Sequence, residues 1–307
     1  MNDKKQNLLK KRSFLVYLIE ARMSNSNGDP DNGNAPRTLP DGRGFITSMA
    51  IKSRQRYMLA DHESVVFQDI INNCGLQGEE DDFNVFESRL KGWPVNTPRE
   101  AVDETKKLFD GGKGTDDFLK RFWDTRIFGT TAIEEAKNKD NALNFTRTGC
   151  IQLTHPVSLH PVNIITQTIT KKCPLVDKDI AKECGTMAPN GINVVEYGLY
   201  MGEATINPMD AHKTNTTTKD VEVFLAVFPH AMSVTTSCSR PSVRVVRAYY
   251  AEHSKSICSF NENDFRNACV PVLKEGVDDP KSLDDYKIKS AEDIGNELGI
   301  KVVDLCK

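Results

Sequence analysis

Nowhere in the 307 residues is there a C-x-x-C pair, an H-x-x-x-H pair, a G-x-S-x-G turn or a run approaching eighteen apolar residues. The first two absences remove the close ligand pairs of structural zinc sites and of helical zinc hydrolases. The third removes the nucleophile elbow of α/β-hydrolases. The fourth removes a membrane-spanning helix. The segment 111–115 reads Gly-Gly-Lys-Gly-Thr, but its lysine precedes a glycine, so the G-x-x-x-x-G-K-[ST] phosphate loop is missing too. Met1 to Arg12 is polar and basic, with no apolar run of signal-peptide length before Ser13. A cytoplasmic protein is therefore expected, with no membrane partner. The eight cysteines, at 74, 150, 173, 184, 238, 258, 269 and 306, read as reduced thiols rather than a disulfide framework.

What is present is an uneven charge. The net charge is −3, yet residues 1–56 carry 11 basic against 5 acidic side chains, while residues 57–140 carry 11 against 18. A basic N-terminal region in an acidic protein suggests a local anionic partner rather than general attraction to polyanions. Lys4, Lys5, Lys10, Lys11 and Arg12 read as a solvated tail, so the weight falls on the residues from Ser13 to Arg56.

Ser13 to Ala21 is a strand, rich in β-branched and aromatic residues and apolar on both faces. It runs into a long stretch of turn formers, Asn25-Ser-Asn-Gly-Asp-Pro-Asp-Asn-Gly-Asn-Ala-Pro-Arg37, then Gly42-Arg-Gly44. Each of these residue types favours turns for its own steric reason, and a long loop between two firm elements is usually functional. Thr47 is a plausible N-cap for a helix Met49–Ala60 that carries Lys52, Arg54 and Arg56. Backbone amides of a glycine-rich turn beside such a helix make a phosphate cradle, although the three cations could equally be the wet face of an amphipathic helix. Asn27 to Asp31 could hold calcium through alternate oxygens, but Gly33 stands where a ligand is needed and Asn34 where the glycine is needed. No metal and no cofactor are expected.

Further along, 61–140 is acidic and mixed and reads as insertion material on a core. Arg126 to Thr131 opens a polar loop reaching Arg147. Residues 149–165 read as a strand kinked at Pro156 and Pro161. A strand Val194–Ile206, a helix Lys219–Phe228 with Thr217 and Asp220 in capping-box spacing, and a strand Val243–Ala251 come next. The tail from Asn261 is acidic with a weak helical pattern. The order is the split βαβ of ferredoxin-like folds. It predicts an α+β protein with an RRM-like sheet and two helices on one face, an architecture used by several RNA-binding modules and by unrelated proteins alike.

These residues resemble a family. Asn27-Gly-Asp-Pro-Asp31, Asn34-x-Pro36-Arg37, Gly44-x-Ile46-Thr47 and Lys52 are similar to the N-terminal signature of the CRISPR-associated "Cas-seven" backbone proteins of the RAMP superfamily. Arg126-Ile-Phe-Gly129, Gly149-Cys-Ile-Gln-Leu-Thr154 and Val195-Glu-Tyr-Gly-Leu-Tyr200 resemble its later segments. Ser239-Arg240-Pro241 and the strand through Tyr249-Tyr250 to Lys255 resemble the type I-C (Csd-type) branch. The match covers most of residues 13–255. It departs at Ala188-Pro-Asn-Gly191, where the family is basic, at Gly149-Cys150 in place of Gly-Pro, and around 232–238.

The resemblance implies a single RAMP-type domain over 1–307. Its palm would be built from 13–60 and 148–255, with fingers at 61–147, a β-hairpin thumb at about 170–194 and an acidic extension at 256–307. It implies a non-catalytic backbone subunit of a type I Cascade surveillance complex. Copies would line up head to tail on CRISPR guide RNA, which pairs with target DNA. Guide-end-capping and large subunits would join them, and a recruited helicase-nuclease would cut. Carried over by position, the RNA-binding residues would be Asn27, Gly28, Asp29, Arg37, Lys52, Arg54, Arg56, Arg126, Gln152, Lys171, Lys172 and Met187. The alternative, from the type III relatives, is a guide-dependent ribonuclease using Asp29 or Asp31.

Overall fold

In the computed structural model, residues 7–87, 114–133, 144–172 and 187–307 are described. Strand β1, Ser13–Ser24, is buried without interruption from Ser13 to Ala21, as its doubly apolar sequence predicts. Successive side chains of a strand point to opposite faces, and here each face meets its own core. Leu15, Tyr17, Ile19 and Ala21 enter one apolar cluster, and Phe14, Val16 and Leu18 enter another.

After the loop come β2 (Arg43–Phe45), helix α1 (Ser48–Leu59) and helix α2 (Val65–Asn73). Helices α3 (Gly114–Arg121) and α4 (Trp123–Phe128) lead into a hairpin of β3 (Gly129–Ile133) and β4 (Asn144–Thr148). Next are β5 (Ile151–Leu153), β6 (Val157–Pro161), β7 (Ile164–Lys172) and the long β8 (Met187–Ile206). Helix α5 (Thr218–Val227), β9 (Val243–Glu252), α6 (Glu262–Ala268), α7 (Ala291–Leu298) and β10 (Val303–Asp304) complete the chain.

Eight of these strands form one sheet in the order β10-β9-β1-β8-β6-β2, with β5 and β7 also paired to β8. Every ladder is antiparallel. The protein is thus α+β, with a large antiparallel sheet. Strand β1 lies between β8 (Ser13 opposite Ile206) and β9 (Ser13 opposite Glu252), with a register shift at Leu18/Ile19.

One face of the sheet is covered by α1, α2, α4 and α5, through Ile51, Phe67, Trp123, Ile127, Phe224 and Val227. The Thr217–Asp220 capping box that starts α5 is formed as expected. Parts of the acidic region 61–147 therefore contribute to the main core. The other face is not bare. The tail wraps it with Phe265, Tyr286 and Ile294, and β10 adds a strand beside β9. The weak helical pattern of the tail hid this, because its apolar residues are few and spread over short elements.

Two expectations change. Arg126 to Thr131 is not a loop: Trp123, Ile127 and Phe128 give α4 a buried face, and the polar residues after it pair as β3 and β4. Gly129, at φ +83°, is packed so tightly on Gly149 and Arg147 that a Cβ would sit 2.4 Å from the Arg147 carbonyl oxygen, which only glycine tolerates. Strand β8 is also longer than expected. Its first part pairs with β7, Met187 opposite Lys172 through Val195 opposite Ile164. This ribbon falls where the thumb was expected. Residues 173–186, and 88–113 and 134–143 of the fingers, lie outside the described residues, and Lys171, Lys172 and Met187 are described by backbone register alone.

Candidate nucleic-acid interface

The loop after β1 is a built structure. The Asn25 side-chain amide donates to the Asn34 carbonyl at 2.7 Å, the Asn34 amide donates to the Asp29 carbonyl, and the Arg37 amide to the Asn27 carbonyl. A Cβ on Gly28 would lie 2.9 Å from the Asn34 carbonyl oxygen as well as against its side chain, so the close crossing favours a glycine. Asp29 pairs with Arg37 at 3.2 Å.

The loop is pinned at both ends. The Asn25 amide donates to the Ser239 carbonyl at 2.7 Å, and Ser24 Oγ accepts from the Ser242 amide. Asn27 Oδ1 accepts from the Thr47 amide at 2.8 Å, and Thr47 Oγ1 in turn caps α1 by accepting from Ala50. Beneath, the buried Tyr200 hydroxyl donates to Ser26 Oγ, and burial pushes its pKa up to about 12. Asn27, Gly28, Asp29 and Arg37 are therefore brought together, and their polar groups hold the loop and the start of α1.

The three cations of α1 have different fates. Lys52 is half-buried, its ammonium 5.1 Å from the centre of the Phe128 ring, and it has no carboxylate partner among the described residues. Burial, and then the charge of Arg56, lower its pKa. Arg54 is 6% exposed, and its one hydrogen-bond partner among the described residues is the Met232 sulfur, 2.8 Å from Nη1. Burial, and then the charge of Arg240, bring its pKa down to about 10. Arg56 is equally buried but lies 2.8 Å from Asp124 Oδ2, and Asp124 also accepts from the Phe86 and Glu87 amides.

Arg126 is more fully committed. Its five N–H groups go to Asp220 Oδ1 (twice) and to the carbonyls of Leu119, Lys120 and Asp82. A buried cation with its donors spent inside the protein is a strut. Arg56 and Arg126, both in the expected RNA-binding set, thus have donors engaged inside the protein, where they join α1, α4 and α5. Gln152, exposed on β5, donates its side-chain amide to the Gly149 carbonyl at 3.0 Å.

Asp31 is exposed, and no third carboxylate, histidine or cysteine among the described residues joins it and Asp29. Such a group occurs instead at His253, Cys258 and Glu262. There Ser259 donates its amide to His253 Nδ1, so Nε2 carries the proton and donates to Glu262, which Arg12 also grips through two bonds. With its lone pair so used, the imidazole holds the tail rather than a cation.

Sequence reasoning missed Met232, Asp124 and the placement of Arg240. Asp220 was visible as a capping residue, but nothing local marked it as the partner of Arg126. Met232 and Arg240 meet α1 only through the tertiary fold.

The geometry defines a class first: an α+β protein with a pinned polar loop and neighbouring cations left without carboxylates, an arrangement suited to an anion. The family profile described as "CRISPR-associated protein Cas7" matches residues 11–291, and the chain belongs to that family. A curated "CRISPR-associated protein Cas7" from Haloferax volcanii (strain DS2) is 29% identical over 136 residues, which is 42% of this chain and 34% of that relative. The matched part thus spans about a third of that relative's length. Two solved chains are similar at low identity. One, "CRISPR RNA-guided surveillance complex, pre-nicking", has a TM-score of 0.49 at 16% identity, covering 93% of this chain and 86% of that one. The other, "CRISPR RNA-guided surveillance complex", has a TM-score of 0.42 at 14% identity, covering 84% and 73%. No helix among the described residues is long and apolar enough to cross a membrane.

Proposed function

We propose that this Cas7-family chain is a non-catalytic backbone subunit of a type I Cascade complex, of the I-C branch, that holds CRISPR guide RNA in the cytoplasm. The carrying observation is the pair of α1 cations, Lys52 and Arg54, left without carboxylates beside the pinned loop. Contacts to phosphate position RNA without reading its bases, and guide pairing then reads the target DNA. The strand order β9-β1-β8-β6, with α1 after β1 and α5 between β8 and β9, supports a ferredoxin-like palm. The β7–β8 ribbon, with Lys171, Lys172 and Met187, supports a thumb that reaches the next copy. A head-to-tail interface of this kind extends rather than closes. Capping and large subunits and a helicase-nuclease act on the resulting filament. The loop residues Asn27, Gly28, Asp29 and Arg37 shape the cradle, and Gln152 lies on its sheet edge. The pairing of Asp29 with Arg37 favours a structural over a catalytic aspartate.

The test is purification from a host that supplies CRISPR guides, with a sizing column read at 260 and 280 nm before and after RNase. The expected result is a large RNA-rich species that collapses on RNase, with guide repeats in the recovered RNA. A protein that stays free of nucleic acid even when synthetic guide and partner subunits are supplied contradicts the proposal.

A further inference from the structure

Arg240 belongs to no expected site, yet like Arg54 it has no carboxylate partner among the described residues. It sits in the turn that links α5 to β9, where Ser237 and Arg240 exchange backbone hydrogen bonds. That turn is locked onto the first loop by the bond from the Asn25 amide to the Ser239 carbonyl. The same connecting segment supplies Met232, which lies against the Arg54 guanidinium. One segment, 228–242, thus both borders Arg54 and carries Arg240 within reach of its charge.

Neither has an ion pair among the described residues. The Nε of Arg240 is buried with no acceptor. Arg54, only 6% exposed, has just a thioether sulfur, a weak acceptor. The two charges are near enough to act on each other, which lowers the pKa of Arg54 beyond what burial does. Two guanidiniums within reach of each other's charge and without a carboxylate are costly to keep in a folded protein. Elsewhere this chain avoids the cost, matching Arg56 with Asp124 and Arg126 with Asp220. The exception lies beside the loop that a polyanion would meet.

We propose that Arg54 and Arg240 form a two-guanidinium clamp for a single phosphate group of the bound polynucleotide, with Arg240 as a binding residue beyond the expected set. The clamp rests on the RNA-scaffold reading and deepens it. The planar, always-charged fork of arginine suits a phosphate bound by two N–H groups. The β9 side of the sheet would thereby share one phosphate with α1, tying the turn at 237–240 to the loop at 25–37.

The test uses the full chain and two probes. One is fluorescein-labelled single-stranded RNA of about 12 nucleotides, within the usual range of site sizes, monitored by anisotropy across salt. The other is inorganic pyrophosphate, monitored by its upward shift of Tm, since a ligand that binds only the folded state raises stability. Arg240→Gln is expected to weaken RNA binding about fivefold at 0.1 M salt, to lower the log–log salt slope by about 0.7, and to abolish the pyrophosphate shift. Arg240→Lys is expected to fall between, keeping the charge but losing the fork. Lys287→Gln, on the exposed tail, is expected to change none of these.

Wild-type RNA affinity and slope retained by Arg240→Gln, with the pyrophosphate shift intact, overturns the clamp and leaves the scaffold reading standing. A wild-type protein that binds no RNA, even with synthetic guide and partner subunits supplied, but loses its pyrophosphate shift on Arg240→Gln keeps the pair as an anion site and overturns the scaffold reading. A wild type that shows no pyrophosphate shift and binds no RNA even with those partners overturns both.

Discussion

Arg54 and Arg56 stand two residues apart on one helix and are each 6% exposed, yet they occupy opposite environments. Arg56 faces Asp124 at 2.8 Å, whereas Arg54 faces a thioether and feels the like charge of Arg240. The difference lies in what each guanidinium meets, and burial alone says nothing about it. A paired buried cation supports the fold. An unpaired one weighs on the fold, and under the proposed reading a bound phosphate offsets that cost.

The largest effect should come from breaking the paired side. Arg56→Ala leaves Asp124 buried without its cation, and loss of one partner of such a pair costs about 3–5 kcal/mol. Urea denaturation should show it. Arg56→Met combined with Asp124→Asn should recover part of the loss, because the asparagine oxygen still accepts from the Phe86 amide, while the longer bond from the Glu87 amide to the other oxygen is given up. A double variant as unstable as the single one would show that the pair is not what holds α1 to α4.

The unpaired side should respond the other way. Arg54→Met removes an isolated buried charge and should leave stability unchanged or raise it by about 1 kcal/mol while weakening RNA binding. A loss of several kcal/mol in urea would mean that Arg54 has a structural partner after all.

A smaller contrast concerns the two faces of the sheet. The face covered by the tail depends partly on Glu262. Burial would raise its pKa, but hydrogen bonds from Arg12 and His253 outweigh that and lower it. A carboxylate with a depressed folded pKa adds stability above its ordinary pKa, and that stability is lost as pH falls through the lower folded value. Docking of the tail should therefore loosen below about pH 4.5, the ordinary glutamate range. Glu262→Gln should flatten that acid limb. Amide exchange of residues 262–268, compared with 218–227 on the other face, would report it, and equal loosening of both helices would sink the idea.

Much of this was legible in local pattern. The doubly apolar Ser13–Ala21 read as a strand covered on both faces, Thr47 announced α1, and the Thr217–Asp220 spacing announced α5. The loop was recognisable from its turn formers, although its internal bonds were not. The fates of the cations were hidden because their partners are remote in sequence: Arg56 meets Asp124 68 residues on, and Arg126 meets Asp220 94 residues on. The three α1 cations look alike as letters. The tail was undervalued for the same reason, since Phe265, Tyr286 and Ile294 make one surface only after folding.

The most direct measurement is the salt dependence of RNA affinity for three proteins: wild type, Arg54→Met, and Arg56→Met with Asp124→Asn. If the unpaired cations of α1 touch phosphate and the paired one does not, Arg54→Met lowers the log–log slope by about 0.7 and the double variant keeps the wild-type slope. A double variant that loses slope while Arg54→Met retains it would contradict the division of α1 into binding and supporting cations.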